Sequence, residues 1–301
     1  MSLLAFPKRI RDRVQGDLPL AKLTTLRIGG PAQYFVEART LRDVADTCAA
    51  ARECSLPLHV LGGGSNLLVC DEGVQGIVLS LHGMKRIQAF GTKVQVQAGA
   101  NLSALVAACS AAGIAGPQSL AGIPGTVGGA LAMNAGGRYG EIADYVASVI
   151  WISPEGDLQS LYREEINFGY RSSMLRSGVV IETVIEGTAG EHAQLVARAR
   201  TVLQEKLAAQ PYSEFSAGCT FKNPKGQSAG RYIDQAGCKG LMVGGARVSD
   251  RHGNFIVNRG DAKASDILEL MQQVQRRVYE AFGVSLQPEV QIWPGRVLLA
   301  A

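Results

Sequence analysis

The chain has 301 residues, with 30 Lys and Arg against 26 Asp and Glu for a formal net charge of +4. That balance is too small to suggest a nucleic-acid partner, and no Lys/Arg-rich run supports one, although it suits an anionic small molecule. A composition 47% hydrophobic and 19% charged with 36 glycines is globular, excludes disorder and demands many tight turns, while the length predicts two or three packed units.

In chain order, Lys8, Arg9, Arg11 and Arg13 are followed by no apolar signal region, and no stretch reaches the roughly 18 apolar residues of a membrane span. A cytoplasmic protein with no membrane partner is expected. From Thr40, Leu41, Val44, Ala45 and Cys48 share one helical face, with Thr40 as N-cap and Asp43 three residues on. Strands are predicted at Leu58 to Leu61, Gly76 to Ser80 and Lys93 to Gln97, and a helix from Leu102 to Ala112 stopped by Gly113. Further strands follow at Ser148 to Ile152 and Val179 to Ile185. A small, flexible Gly187 to Gly190 stretch suggests a boundary. Amphipathic helices are expected over Glu191 to Ala209, ended by Pro211, and over Ser265 to Phe282, stopped by Gly283.

The six cysteines, Cys48, Cys54, Cys70, Cys109, Cys219 and Cys238, form no C-x-x-C pair, so they read as free thiols with no metal site, mostly buried. Two glycine clusters stand out. In Gly62-Gly63-Gly64-Ser65-Asn66 a strand gives way to uncovered backbone amides that can converge on a phosphate, with two polar side chains beside them. The blander reading is a flexible hairpin turn. In Gly122-Ile123-Pro124-Gly125-Thr126-Val127-Gly128-Gly129-Ala130, and then Asn134-Ala135-Gly136-Gly137, close backbone approach to a flat ligand and its diphosphate becomes possible, or tight packing between sheets. Neither the Rossmann nor the Walker spacing is present.

Together with Thr25-Leu26-Arg27-Ile28-Gly29-Gly30, these clusters resemble the FAD-binding half of the UDP-N-acetylenolpyruvoylglucosamine reductases of bacterial cell-wall synthesis. The similarity continues through Gly169-Tyr170-Arg171-Ser172-Ser173, Ser216-Ala217-Gly218-Cys219-Thr220-Phe221-Lys222-Asn223-Pro224, Asn254 to Asn258 and Leu286 to Val290. The short distance from Ile185 to Gln210 resembles the class without an inserted tyrosine loop. The resemblance implies an α+β protein: a vanillyl-alcohol-oxidase-like FAD-binding fold in two subdomains, residues 1–80 and 81–188, followed by a substrate domain at 189–301. It implies non-covalent FAD, NADPH as reductant and a nucleotide-sugar substrate; a monomer is expected.

By resemblance, Gly62, Gly63, Gly64, Ser65, Asn66, Gly122, Ile123, Pro124, Gly125, Thr126, Gly128, Gly129 and Ala130 contact the cofactor. Arg171 and Glu289 stabilise negative charge on the reacting enolpyruvyl group, and Cys219 stands where most members have a proton-donating serine. Taken without the resemblance, Arg171 and Glu289 would read as solvated surface charges and Cys219 as a buried thiol. Tyr170, Asn223, Arg231, His252 and Asn258 fall at or near substrate positions. Ala209 replaces a lysine that meets the substrate diphosphate in some members, for which Lys206, Lys222 and Arg231 are candidate replacements. The alternatives are an FAD-dependent oxidase or dehydrogenase of the same fold acting on a small alcohol or sugar, and a non-catalytic nucleotide-binding module.

Overall fold

The computed structural model describes residues 6–294. The outermost positions of the expected first and last domains, 1–5 and 295–301, lie outside the described residues. In chain order the helices are α1 (Lys8–Arg11), α2 (Leu41–Glu53), α3 (Leu102–Ala111), α4 (Val127–Ala132), α5 (His192–Ala209), α6 (Ala229–Gln235) and α7 (Ala264–Phe282). The described residues divide into two compact units, one of residues 6–16, 34–63 and 76–206, the other of 17–33, 64–75 and 207–294.

The first unit is built on a five-stranded antiparallel sheet. Its order is Leu158–Tyr162, Val146–Ile152, Val179–Glu186, Lys93–Gln97 and Ile87–Phe90. Val94, Val96, Val149 and Ile185 are wholly buried, the alternation expected of strands with one face toward a core. The strand Leu58–Leu61 runs parallel to Val74–Ser80, with Leu58 opposite Ile77 and Leu61 opposite Ser80. Helix α2 begins where its sequence calls for it: the Thr40 hydroxyl accepts the Asp43 amide at 3.1 Å, and the Asp43 carboxylate accepts the Thr40 amide in return. The reciprocal cap satisfies two donors that the first turn leaves open.

The segment after Val179–Glu186 differs from expectation. Thr188 and Ala189 are not a loose linker but pair antiparallel with Ala115 and Ile114, and the Gly187 and Gly190 amides donate to Thr92 and Gly113. Glycine serves close packing there, since a Cβ on Gly187 would lie 2.2 Å from the Ala115 carbonyl oxygen.

The second unit carries a four-stranded antiparallel sheet ordered Phe215–Ser216, Ile256–Asn258, Ala246–Val248 and Met242–Val243. Against its core lies α7, which buries Ile267, Leu270, Met271, Val274 and Val278 on one face and ends at Gly283 with φ 67°. Asp71, far away in sequence, caps this helix: its carboxylate accepts the Ala264 and Ser265 amides at 2.8 and 3.1 Å. Leu67–Val69 pairs parallel with Gln291–Trp293, so the segment after the first glycine cluster is held by the end of the described chain. Among the described residues no helix is long and apolar enough to cross a membrane.

Candidate active site

In the first unit the two glycine clusters meet. A Cβ on Gly63 would lie 2.6 Å from the Gly125 Cα, and one on Gly62 would lie 2.8 Å from the Thr126 hydroxyl, so only glycine permits this approach. The amides of Gly62, Gly63, Gly125 and Thr126 make no hydrogen bond to the protein among the described residues. Amides left unmatched on two glycine turns that approach this closely are able to serve an anion such as a diphosphate.

The rest of the second cluster is occupied otherwise. The amides of Val127, Gly128 and Gly129 donate to Ala100, Ala98 and the Thr126 hydroxyl, the Ala130 amide to Thr126, and that of Ile123 to Leu120. Gly128 lies against Ala98. Gly122 and the exposed Pro124 shape the turn that leads to Gly125, Gly122 with φ 77°.

Tyr170 and Arg171 form the tip of a two-residue hairpin in which Phe168 and Gly169 pair with Ser173 and Ser172. Arg171 takes φ 53°, a left-handed conformation that costs a non-glycine residue about 1–3 kcal/mol and persists only where surroundings enforce it. Two bonds to the Asn134–Gly136 stretch do so: Asn134 donates to the Gly169 carbonyl at 3.1 Å and the Arg171 guanidinium donates to the Gly136 carbonyl at 2.9 Å. The guanidinium also lies 5.0 Å from the Tyr170 ring centroid.

In the second unit the chain around Cys219 is laced to the chain around Glu289. The Glu289 amide donates to the Thr220 carbonyl at 2.8 Å, and the Lys222 amide to Gln287 at 2.8 Å. The buried Asn254 clamps the same strand through the Phe221 amide and carbonyl. Gly218, with φ 75°, makes the turn that leaves Cys219 half-buried, and Glu289 is only 9% exposed. Asn66 donates its side-chain amide to the Glu289 carbonyl at 3.2 Å. Ser65 lies beside Gly218. The first cluster is therefore divided: Gly62 and Gly63 belong to one unit, whereas Gly64, Ser65 and Asn66 belong to the other.

Of the expected substrate residues, His252 accepts the Asn254 amide on Nδ1 at 3.2 Å, which makes Nε2 the donor of a neutral ring. Burial pushes its pKa down, which keeps it neutral. Asn258 is buried, bonding the Leu26 carbonyl and the Gly260 and Ala262 amides. Asn223 accepts the Ala229 amide, and Arg231 projects from the exposed face of α6. The sequence reading missed Tyr212. Burial and the neighbouring Cys219 sulfur both push its hydroxyl pKa up, which places it beside the proposed acid, seven residues away with no motif to mark it.

Residues 210–293 match the C-terminal domain of UDP-N-acetylenolpyruvoylglucosamine reductase, and residues 32–162 match an FAD binding domain. UDP-N-acetylenolpyruvoylglucosamine reductase 2 of Symbiobacterium thermophilum is 44% identical over 289 residues, 94% of each chain. The chain belongs to this reductase family. The reductase of Anoxybacillus flavithermus is 40% identical over 91% of this chain and 92% of its own. The crystal structure of UDP-N-acetylenolpyruvylglucosamine reductase from Thermus caldophilus matches with a TM-score of 0.81 at 41% identity, covering 94% of this chain and 99% of that one. The α+β class and FAD-binding fold expected from the sequence are thus those of the family, and FAD is its cofactor.

Proposed function

We propose that the chain reduces the enolpyruvyl ether of UDP-N-acetylglucosamine-enolpyruvate to UDP-N-acetylmuramate, with NADPH as reductant. The observation that carries the reading is the pairing of the Cys219 segment with the Glu289 segment, found in a member of this reductase family. When bound, FAD would supply the hydride chemistry, with NADPH as its source and the terminal carbon of the enolpyruvyl group as its target. The unmatched amides of Gly62, Gly63, Gly125 and Thr126 would hold the FAD diphosphate.

The chain's own residues have two tasks, to stabilise negative charge that builds beside the substrate carboxylate and to protonate the carbon that bears it. Arg171 suits the first, because a guanidinium stays charged and can hold a carboxylate bidentately. Cys219 suits the second, since a thiol with a reference pKa of about 8.5 gives up its proton more readily than an alkyl hydroxyl. Glu289 would hydrogen-bond the reacting carboxylate or orient the acid. Its register with Cys219 is fixed through Thr220.

The test is anaerobic. Purified protein should be yellow, its flavin should bleach with NADPH, and the colour should return on adding the enolpyruvyl nucleotide sugar. A colourless protein, or flavin that the substrate does not reoxidise, contradicts the reading; reoxidation by air alone at high rate would favour an oxidase instead.

A further inference from the structure

Lys206 lies in the last turn of α5, half-buried, and its ammonium donates to the Ala121 carbonyl at 2.6 Å. It makes no ion pair among the described residues. The adjacent carboxylate, Glu205, is bonded instead to Arg138 and Tyr139. A carbonyl dipole meets one of three ammonium protons and cancels none of the charge, so two protons and a partly desolvated charge remain to attract an anion. Burial already pushes its pKa down to about 8, the direction expected of a charge without a counter-ion.

Ala121 opens the loop that runs to Gly125 and Thr126, whose amides, with those of Gly62 and Gly63, bond nothing in the protein among the described residues. A cation without a counter-ion, bonded to the first residue of a loop whose later amides are unmatched, suits the same kind of group as those amides, a diphosphate. We propose that Lys206 is the positive charge of the FAD diphosphate site, fixing the start of the glycine loop through Ala121 and offering its remaining protons to the cofactor. This rests on the reading of the chain as an FAD enzyme, and it separates Lys206 from Lys222 and Arg231 as a candidate for the substrate's diphosphate.

The test compares Lys206→Met and Lys206→Arg in the full chain stripped of flavin and titrated with FAD. Lys206→Met should weaken FAD binding about 10- to 100-fold, the range of a charge-assisted contact, whereas Lys206→Arg should stay within about threefold. In the wild-type protein, FAD should also protect Lys206 from acetylation, read by mass spectrometry, which holds even if the methionine variant folds poorly. Unchanged FAD affinity with no protection overturns the assignment. So does a raised KM for the nucleotide sugar with FAD affinity unchanged, which would put the ammonium on the substrate. Either result leaves the functional reading standing, whereas a wild-type chain that binds no FAD removes both.

Discussion

The two units use main-chain amides in opposite ways. Around Gly63 and Gly125 the backbones close on one another while their amides are left without protein acceptors. Around Cys219 the Thr220, Phe221, Lys222 and Glu289 amides are all bonded within the protein. Unmatched donors suit the loop proposed to grip the cofactor, and donors bonded within the protein suit the segment proposed to aim a thiol and a carboxyl.

Substitutions can break that contrast, beginning with the largest effect. Gly63→Ala pushes a methyl group to 2.6 Å from the Gly125 Cα. It should lower apoprotein stability by about 1–3 kcal/mol and cost FAD affinity besides, measured by denaturant unfolding and flavin titration. Unaltered values would mean that the two loops part freely. In the other unit, Asp71→Ala removes the α7 cap and should cost about 1 kcal/mol, read as a lower unfolding midpoint. An unmoved midpoint would show that water serves those amides as well.

The thiols sharpen the comparison in a different way. Burial pushes Cys48 up to about 11 and Cys109 up to about 12, so at pH 8 their thiolate fractions are on the order of one in a thousand or less. Half-buried Cys219 and Cys54 should therefore be alkylated by iodoacetamide first, followed by peptide mass spectrometry; early loss of Cys48 or Cys109 contradicts the packing.

The smallest effect is on pH. The folded Lys206 pKa of about 8 lies below its ordinary 10.5, so between those values the unfolded chain binds more protons and stability rises with pH. The stability of the wild-type apoprotein relative to Lys206→Met should grow from pH 8 to pH 10. A flat or falling difference would place the amine in water.

Local chemistry was well legible in the sequence. Thr40 with Asp43 announced the start of α2, Gly283 the end of α7, and alternation marked Lys93–Gln97 as a strand. Each signal lies within a few residues of the feature it specifies. Long-range partners were not legible: nothing in Leu67–Val69 names Gln291–Trp293 as its neighbour, and Thr188–Ala189 looked flexible because its pairing partner at Ile114–Ala115 was unknown. The site shows the same division. The glycine clusters, Arg171, Cys219 and Glu289 stood in recognisable blocks, whereas Tyr212 and the Ala121 carbonyl that receives Lys206 matter only through contacts the fold creates.

Cys219 is proposed as the proton donor to the reduced substrate, and rapid mixing of Cys219→Ala tests this most directly. With FAD bound, anaerobic reduction by NADPH should proceed at the wild-type rate, and reoxidation by the enolpyruvyl nucleotide sugar should slow by about 10²–10⁴. If both half-reactions slow equally, or if neither does, Cys219 is not the proton donor.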